Sequence, residues 1–235
     1  MAKRELVSSR SQAESYVRLG LVQVNGHKAE KAGQLVSEAD VIVVTASEQY
    51  VSRAALKLKS AAEMFGIAFA GKTVLDVGSS TGGFTQYALT QGAAKVIAVD
   101  VGTDQLHPSL RKDERIELHE KTDIRAFTTH DHVDMVVGDV SFISLREILP
   151  YVTTLVDQNT EIVAMVKPQF EASQSSLKHK GVIKNDKMRR DILKDFEVWA
   201  SQYFKILQKA DSTVPGSKGN VERFYLLRKL GIAKS

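Results

Sequence analysis

A strand that runs straight into a glycine-rich turn and then into a helix leaves a chain few architectures to choose from. Thr73-Val-Leu-Asp76-Val-Gly78-Ser79-Ser80-Thr81-Gly82-Gly83-Phe84 reads as that unit. Gly78 and Gly82 permit backbone conformations and close approaches that a β-carbon forbids. At the carboxyl end of a first strand, such a turn makes one wall of a cofactor crevice in an open, mostly parallel sheet. The flanking pattern agrees. Ser52 is placed to cap a helix reaching about Phe65, with Ala54, Ala55, Leu58, Ala61 and Ala62 at helical spacing. Strands are expected at Thr73–Val77, Val96–Val99, Glu117–His119, Met135–Gly138 and Ile162–Val166, with enough chain between them for crossover helices. Phe204–Lys209 and Glu222–Arg228 surround a turn at Pro215-Gly216 with no helix between them, which predicts an antiparallel hairpin at one side of the sheet. The expected fold class is α/β and Rossmann-like: a mostly parallel sheet of seven strands, covered by helices on both faces.

The first fifty residues read differently. A helix opens at Ser9-Arg10-Ser11-Gln12, with Ala13, Tyr16 and Val17 on one face, and Gly20 stops it. Short strands at Leu21–Val24 and Val41–Val44 are separated by turns at Asn25-Gly26 and Lys31–Gly33. This predicts a small α+β domain over 1–45, a linker over 46–52 and the larger domain over 53–235. Glu171–Arg190, polar and poor in apolar residues, reads as a mobile loop. The absence of Cys excludes disulfides, zinc–thiolate sites, iron–sulfur clusters and cysteine nucleophiles. No apolar run approaches the roughly 20 residues that span a bilayer, and the polar start lacks a signal peptide's apolar core, so a cytoplasmic location is expected. A net charge of +4 only hints at a polyanionic partner; where the charges lie matters more.

Asp100 ends the second strand of the larger domain, about twenty residues after the glycine turn, where a carboxylate can accept from both hydroxyls of a ribose. A dinucleotide site wants G-x-G-x-x-G. Here the spacing is G-x-x-x-G-G, and Ser79 stands where a pyrophosphate needs close backbone approach. S-adenosylmethionine has no pyrophosphate and tolerates the looser spacing. Asp76 suits contact near its methionine end, and Asp123, after the third strand, can accept from the adenine amino group. The candidate cofactor residues are Asp76, Gly78, Ser79, Ser80, Gly82, Gly83, Phe84, Asp100 and Asp123. The plainer reading is a tight turn followed by a solvent-facing acid.

Asp139 and Lys167 end the fourth and fifth strands and face the same crevice in a parallel sheet. An acid and a lysine so placed suit removal of a proton from an alcohol. A ribose 2′-hydroxyl attacking a methyl sulfonium benefits from a neutral amine, whereas a free lysine titrates at about 10.4. Burial and a nearby cation lower such a value. Lys57, on the helix before the sheet, can be that cation, and Glu222, opening the last strand, can orient the pair. Each residue also has an ordinary reading: Lys57 a solvated helix residue, Asp139 a cap, Glu222 an edge-strand charge. His130-Asp131-His132 lacks a spaced third ligand, so no metal is expected; Trp199, Phe196 and Tyr203 read as core.

Five motifs carry a family resemblance: Tyr50-Val-Ser-Arg53-Ala-Ala-Leu-Lys57-Leu, Asp76 to Thr85, Gly138-Asp-Val-Ser-Phe-Ile-Ser144, Val166-Lys-Pro-Gln-Phe-Glu171 and Gly219-Asn-Val-Glu222. In this order the chain resembles the TlyA family over nearly its whole length. These are ribosomal RNA 2′-O-methyltransferases, often labelled haemolysins, with an FtsJ-like catalytic domain. The resemblance implies a class I methyltransferase fold, S-adenosylmethionine as donor, and a catalytic tetrad of Lys57, Asp139, Lys167 and Glu222. It further implies methylation of cytidine ribose in rRNA within ribosomal subunits or ribosomes. Ser9-Arg10-Ser11-Gln12-Ala13 and Gly20-Leu-Val-Gln-Val-Asn-Gly26 resemble the S-four-type ribosomal RNA-binding domain. In that domain a helix normally precedes the Ser-Arg-Ser-Gln stretch; eight residues stand before it here, so the expectation is a domain short of its first helix.

Candidate RNA contacts are Arg4, Arg10, Arg18 and Lys28 near the start, and Lys178, Lys180, Lys184, Arg189 and Arg190 beyond Lys167. Phosphate contacts of this kind supply most nonspecific affinity; the ordinary alternative is a solvated face. Phe142 or Phe170 can stack on a base turned out of the RNA, although both residue types are commoner in cores. Two other functions compete: a noncatalytic RNA- or ribosome-binding protein with a vestigial fold, and a membrane-active haemolysin. The second needs a span or a long basic amphipathic helix, and the sequence offers neither.

Overall fold

Runs of β-branched residues set the strands, and the polar residues at their ends set where the sheet opens to solvent. The computed structural model describes residues 1–7, 10–18, 20–45, 50–172, 181–214, 216 and 219–231. The chain divides into two compact units, Met1–Arg53 and Ala54–Ser235.

The first unit holds helix α1 (Arg10–Arg18) and strands β1 (Val22–Val24), β2 (His27–Lys28) and β3 (Ile42–Val44), in the antiparallel order β2-β1-β3. Asn25 (φ 50°) and Gly26 (φ 78°) supply the two left-handed positions that a tight hairpin turn demands. Asn25 also accepts from Val41 N at 2.9 Å and donates to Asp40 at 2.8 Å, so it joins the hairpin to the approach of β3. Tyr16 and Val17 of α1 pack on Val7, Val22 and Ala29 in a small core.

The second unit begins with α2 (Arg53–Phe65), whose Ala55, Leu58, Ala61, Ala62 and Phe65 are buried. Ser52 does not cap it, because its buried Oγ makes no hydrogen bond. Then follow β4 (Thr73–Val77), α3 (Gly83–Thr90), β5 (Lys95–Val99), β6 (Ile116–His119), β7 (Met135–Gly138), α4 (Leu149–Val152), β8 (Glu161–Val166), α5 (Pro168–Glu171), α6 (Asp186–Ala200), β9 (Phe204–Asp211) and β10 (Arg223–Lys229). The seven strands lie in the order β6-β5-β4-β7-β8-β10-β9. All pairs up to β8 are parallel, and β10 is antiparallel to both β8 and β9. The order of the strands reverses between β4 and β7, so the crevice outside their carboxyl ends is the natural ligand position.

Two expectations need correction. Only α3 is a full crossover helix on the parallel side; β5 to β6 runs through turns, and β6 to β7 has a single 3-10 turn at Ile124–Ala126. Residues 100–115 carry Gly102, Pro108 and many charges, and they offer no apolar helical face. The mobile loop expected over Glu171–Arg190 does not hold at either end, and residues 173–180 lie outside the described residues. Glu171 is buried, and Asn185 caps α6 by accepting from Met188 N at 3.0 Å. Leu193, Phe196 and Ala200 then anchor α6 in the main core, and Ile192 packs with Ala172 and Ile183 in a smaller cluster.

Candidate active site

The glycine turn after β4 is held close. Gly78 has φ 79°, and a β-carbon there would lie 3.1 Å from the Asp139 carbonyl oxygen. Gly82, at φ 88°, would place one 2.5 Å from Leu110. Beside the turn is a cavity of about 480 Å³ built from the carboxyl ends of β4, β5, β6 and β7. Of the expected cofactor residues, Gly78, Ser80, Asp100 and Asp123 line it, as does Asp139. Asp100 accepts from Ser80 N at 2.8 Å and Gly102 N at 2.6 Å, which fixes its carboxylate at the rim with acceptor capacity left over. Asp123 caps the following 3-10 turn and pairs with Arg125 at 2.6 Å; that guanidinium holds its carboxyl below the usual range.

Asp76 and Ser79 lie deeper. Asp76 is fully buried and accepts from Thr85 Oγ1 at 2.6 Å, but its Oδ1 has no partner, and neither has Ser79 Oγ. Burial, reinforced by the charges of Asp139 and Asp100 and opposed by the Thr85 hydrogen bond, pushes the Asp76 carboxyl up to about 7. Such orphaned polar atoms beside a glycine cradle are what an absent polar ligand leaves behind. Gly82 and Gly83 form the start of α3 and do not line the cavity. Phe84 is core: it is 2% exposed and its ring packs 6.3 Å from Phe224.

The four expected catalytic residues form two ion pairs, in which Lys57, Glu222 and Lys167 are buried and Asp139 is partly exposed. Lys57 Nζ, from α2, donates to Glu222 Oε2. Lys167 Nζ lies 2.6 Å from Asp139 Oδ1 and donates to Ser141 Oγ at 2.7 Å. The strand registers bring the pairs together. Arg223 faces Val166 across the β10–β8 ladder, so Glu222 and Lys167 are the next opposed positions. Gly138 faces Ala164, so Asp139 leaves β7 one strand away.

Sequence reasoning passed over several participants. Val101, Ile124, Arg125, Val140, Ser141 and Ile143 also line the cavity, all just beyond strand ends. Phe142 is not core: it is 91% exposed, in a left-handed conformation (φ 67°) that is costly for a bulky residue. Its ring stands 5.3 Å from Phe170, whose ring lies 5.9 Å from Lys167 Nζ. Glu171, 1% exposed, accepts from Ser144 Oγ at 2.6 Å and Leu145 N at 2.8 Å, tying the segment after β7 to α5; burial raises its carboxyl.

The expected RNA contacts divide. Arg10, Lys28, Lys184 and Arg190 are exposed. Arg4 is committed internally, donating to the carbonyls of Ser37 (2.7 Å), Glu38 (3.2 Å) and Asp40 (2.7 Å). Arg189 pairs with Asp211 at 2.5 Å and is 11% exposed. The Arg18 side chain, Lys178 and Lys180 lie outside the described residues. At the His130 site, Asp131 pairs with Lys95 at 2.7 Å, and no cluster suited to a metal occurs among the described residues.

A sheet of this order with a glycine turn at its reversal point is the frame of an α/β protein that holds a cofactor outside its strand ends. The model of FtsJ-like methyltransferases matches residues 50–229, and that of the S4 domain matches residues 1–42. The 16S/23S rRNA (cytidine-2′-O)-methyltransferase TlyA of Mycobacterium tuberculosis is 41% identical over 97% of this chain and 87% of its own. Hemolysin A of Brachyspira hyodysenteriae is 38% identical over 91% of each chain. A solved structure described as a hemolysin from Streptococcus thermophilus superposes with a TM-score of 0.74 at 33% identity, covering 97% of this chain and 86% of that one. The chain belongs to the FtsJ-like methyltransferases and, within them, to the TlyA family.

Proposed function

We propose that the chain transfers a methyl group from S-adenosylmethionine to the 2′-hydroxyl of a cytidine ribose in ribosomal RNA, acting on ribosomal subunits or ribosomes. The observation that carries this reading is the two ion pairs, Lys57–Glu222 and Lys167–Asp139, brought together by the strand registers with Asp139 at the cavity wall. The relatives' reaction supports it.

S-adenosylmethionine, when bound, supplies a methyl group on a sulfonium, ready for attack by an oxygen. The residues present fit it. Asp100 is oriented by two backbone amides to accept from ribose hydroxyls, and Asp123 with Arg125 lines the far wall for the adenine. The unpartnered atoms of Asp76 and Ser79 serve the polar methionine end. Lys167 is placed as the base that takes the hydroxyl proton, with Asp139 at 2.6 Å to hold its ammonium form. Ser141 fixes the direction of Nζ. Lys57, held by Glu222, adds a positive charge to the same cluster. Exposed Phe142 supports stacking on a base turned out of its helix, which brings the ribose to Lys167. Arg10, Lys28, Lys184 and Arg190 serve as phosphate contacts.

Tritium transfer from labelled cofactor to ribosomal subunits, followed by mapping of 2′-O-methylcytidine, tests the proposal. Transfer to rRNA is expected. Cofactor binding with no transfer to either subunit or to whole ribosomes overturns it and returns the noncatalytic reading. No helix among the described residues is long and apolar enough to cross a membrane.

A further inference from the structure

We propose that Arg189 is a positioning residue that holds Glu222 in the catalytic cluster, and not a phosphate contact. The inference rests on the reading of Glu222 as a member of the tetrad. Glu222 sits just before β10, at the frayed end of the sheet, where its neighbours decide how firmly it is held. Its two chain neighbours are fixed by Arg189. Nε of Arg189 donates to the Val221 carbonyl at 3.0 Å, and Nη2 lies 2.5 Å from Asp211 Oδ1. The same Asp211 oxygen binds Arg223 Nε at 2.6 Å. Although burial works to raise the Asp211 carboxyl, the guanidiniums of Arg223 and Arg189 outweigh it and hold the group below its usual value. Arg189 therefore grips the residue before Glu222 directly and the residue after it through one shared carboxylate.

The surroundings leave Glu222 little freedom. Its carbonyl accepts from Ser212 N at 2.8 Å. Ile183 N donates to Asn220 Oδ1 at 2.9 Å, so the approach to α6 is joined to the same turn. A β-carbon on Gly216 would stand 2.9 Å from Glu222 Oε1, which makes that glycine the space the carboxylate occupies. An arginine is required at 189 because its planar fork donates in two directions at once, toward a carbonyl and a carboxylate. A lysine keeps the charge but has one nitrogen.

The test uses the full chain, ribosomal subunits as substrate, and the variants Arg189→Lys, Arg189→Ala, Gly216→Ala and Glu222→Gln. Arg189→Lys is expected to lower kcat by about tenfold or more, as small misplacements of catalytic groups do. Its cofactor Kd and the salt dependence of its rRNA binding should stay at wild-type values; the unchanged Kd also reports a folded protein. Gly216→Ala, which crowds the carboxylate with the Arg189 contacts intact, should reproduce the kcat loss. In a Glu222→Gln background, Arg189→Ala should cost nothing further, because both act through one group. Wild-type kcat in Arg189→Lys overturns the proposal. So does a fall of about one in the salt slope for Arg189→Ala, the mark of a lost phosphate contact, and so do losses that multiply in the double variant. Full turnover in Glu222→Gln would instead refute the tetrad reading itself, which separates the two failures.

Discussion

The parallel side of the catalytic sheet, β6 to β7, and the antiparallel side, β8 to β9, arrange their functional groups by different means. On the parallel side the cavity is shaped by backbone: glycines at positive φ, amides aimed at Asp100, and residues that fall just past strand ends. On the antiparallel side the groups are arranged by ion pairs between residues far apart in the chain. Lys57 meets Glu222, and Arg189 meets Asp211 and Val221. A site made of backbone tolerates side-chain change away from its glycines, whereas a site made of paired charges fails when one partner is lost, because a buried charge is left uncompensated.

Four experiments sharpen that contrast. The largest effect is expected for Lys167→Ala: about a thousandfold loss of methyl transfer, the scale of a lost general base, with cofactor affinity near wild type by calorimetry. Equal loss of both would show that the two sides do not act separately. Next is the pH dependence of stability set by Asp76. Its carboxyl titrates at about 7 in the fold against 3.8 ordinarily, so folding takes up a proton between those values. Stability conferred by this group therefore falls as pH rises from about 4 to 7 and is level above, by about 4 kcal/mol at most. Urea unfolding across that range should show the fall in the wild type and its absence in Asp76→Asn. Third, Gly82→Ala introduces a clash with Leu110 at positive φ; it should lower stability by about 2 kcal/mol and weaken cofactor binding, yet leave kcat at saturating cofactor largely intact. The smallest effect belongs to Lys184→Ala or Arg190→Ala, each expected to reduce the salt slope of rRNA binding by about 1 without changing cofactor affinity. A change in cofactor affinity there would link the exposed cations to the backbone-made cavity.

Much of the parallel side was legible in the sequence. Thr73–Val77 and Met135–Gly138 begin and end where expected, since each is an apolar run closed by glycine or charge. The turn at Gly78 and Gly82 and the carboxylate at Asp100 followed from local spacing alone. Less was legible where a residue's neighbours come from elsewhere in the chain. Phe84 and Phe142 look alike as sequence, yet one packs on Phe224 and the other is held out at the cavity mouth by its own strained backbone. Arg189 and Arg190 are adjacent in one basic run, and the helix turns the first toward Asp211 while the second is exposed.

The sequence by itself therefore determined the succession of strands in the larger unit, the glycine turn and the residue types available for chemistry, because periodicity and turn geometry act over a few residues. Only the tertiary structure decided which cations are exposed and which are bound, that Glu222 stands opposite Lys167 at the end of the β10–β8 ladder, and that Glu171 and Arg189 serve as anchors. Those outcomes depend on desolvation and on contacts closed over long stretches of chain, up to 165 residues between Lys57 and Glu222. A charge in a linear sequence does not carry that information; its burial and its partner do.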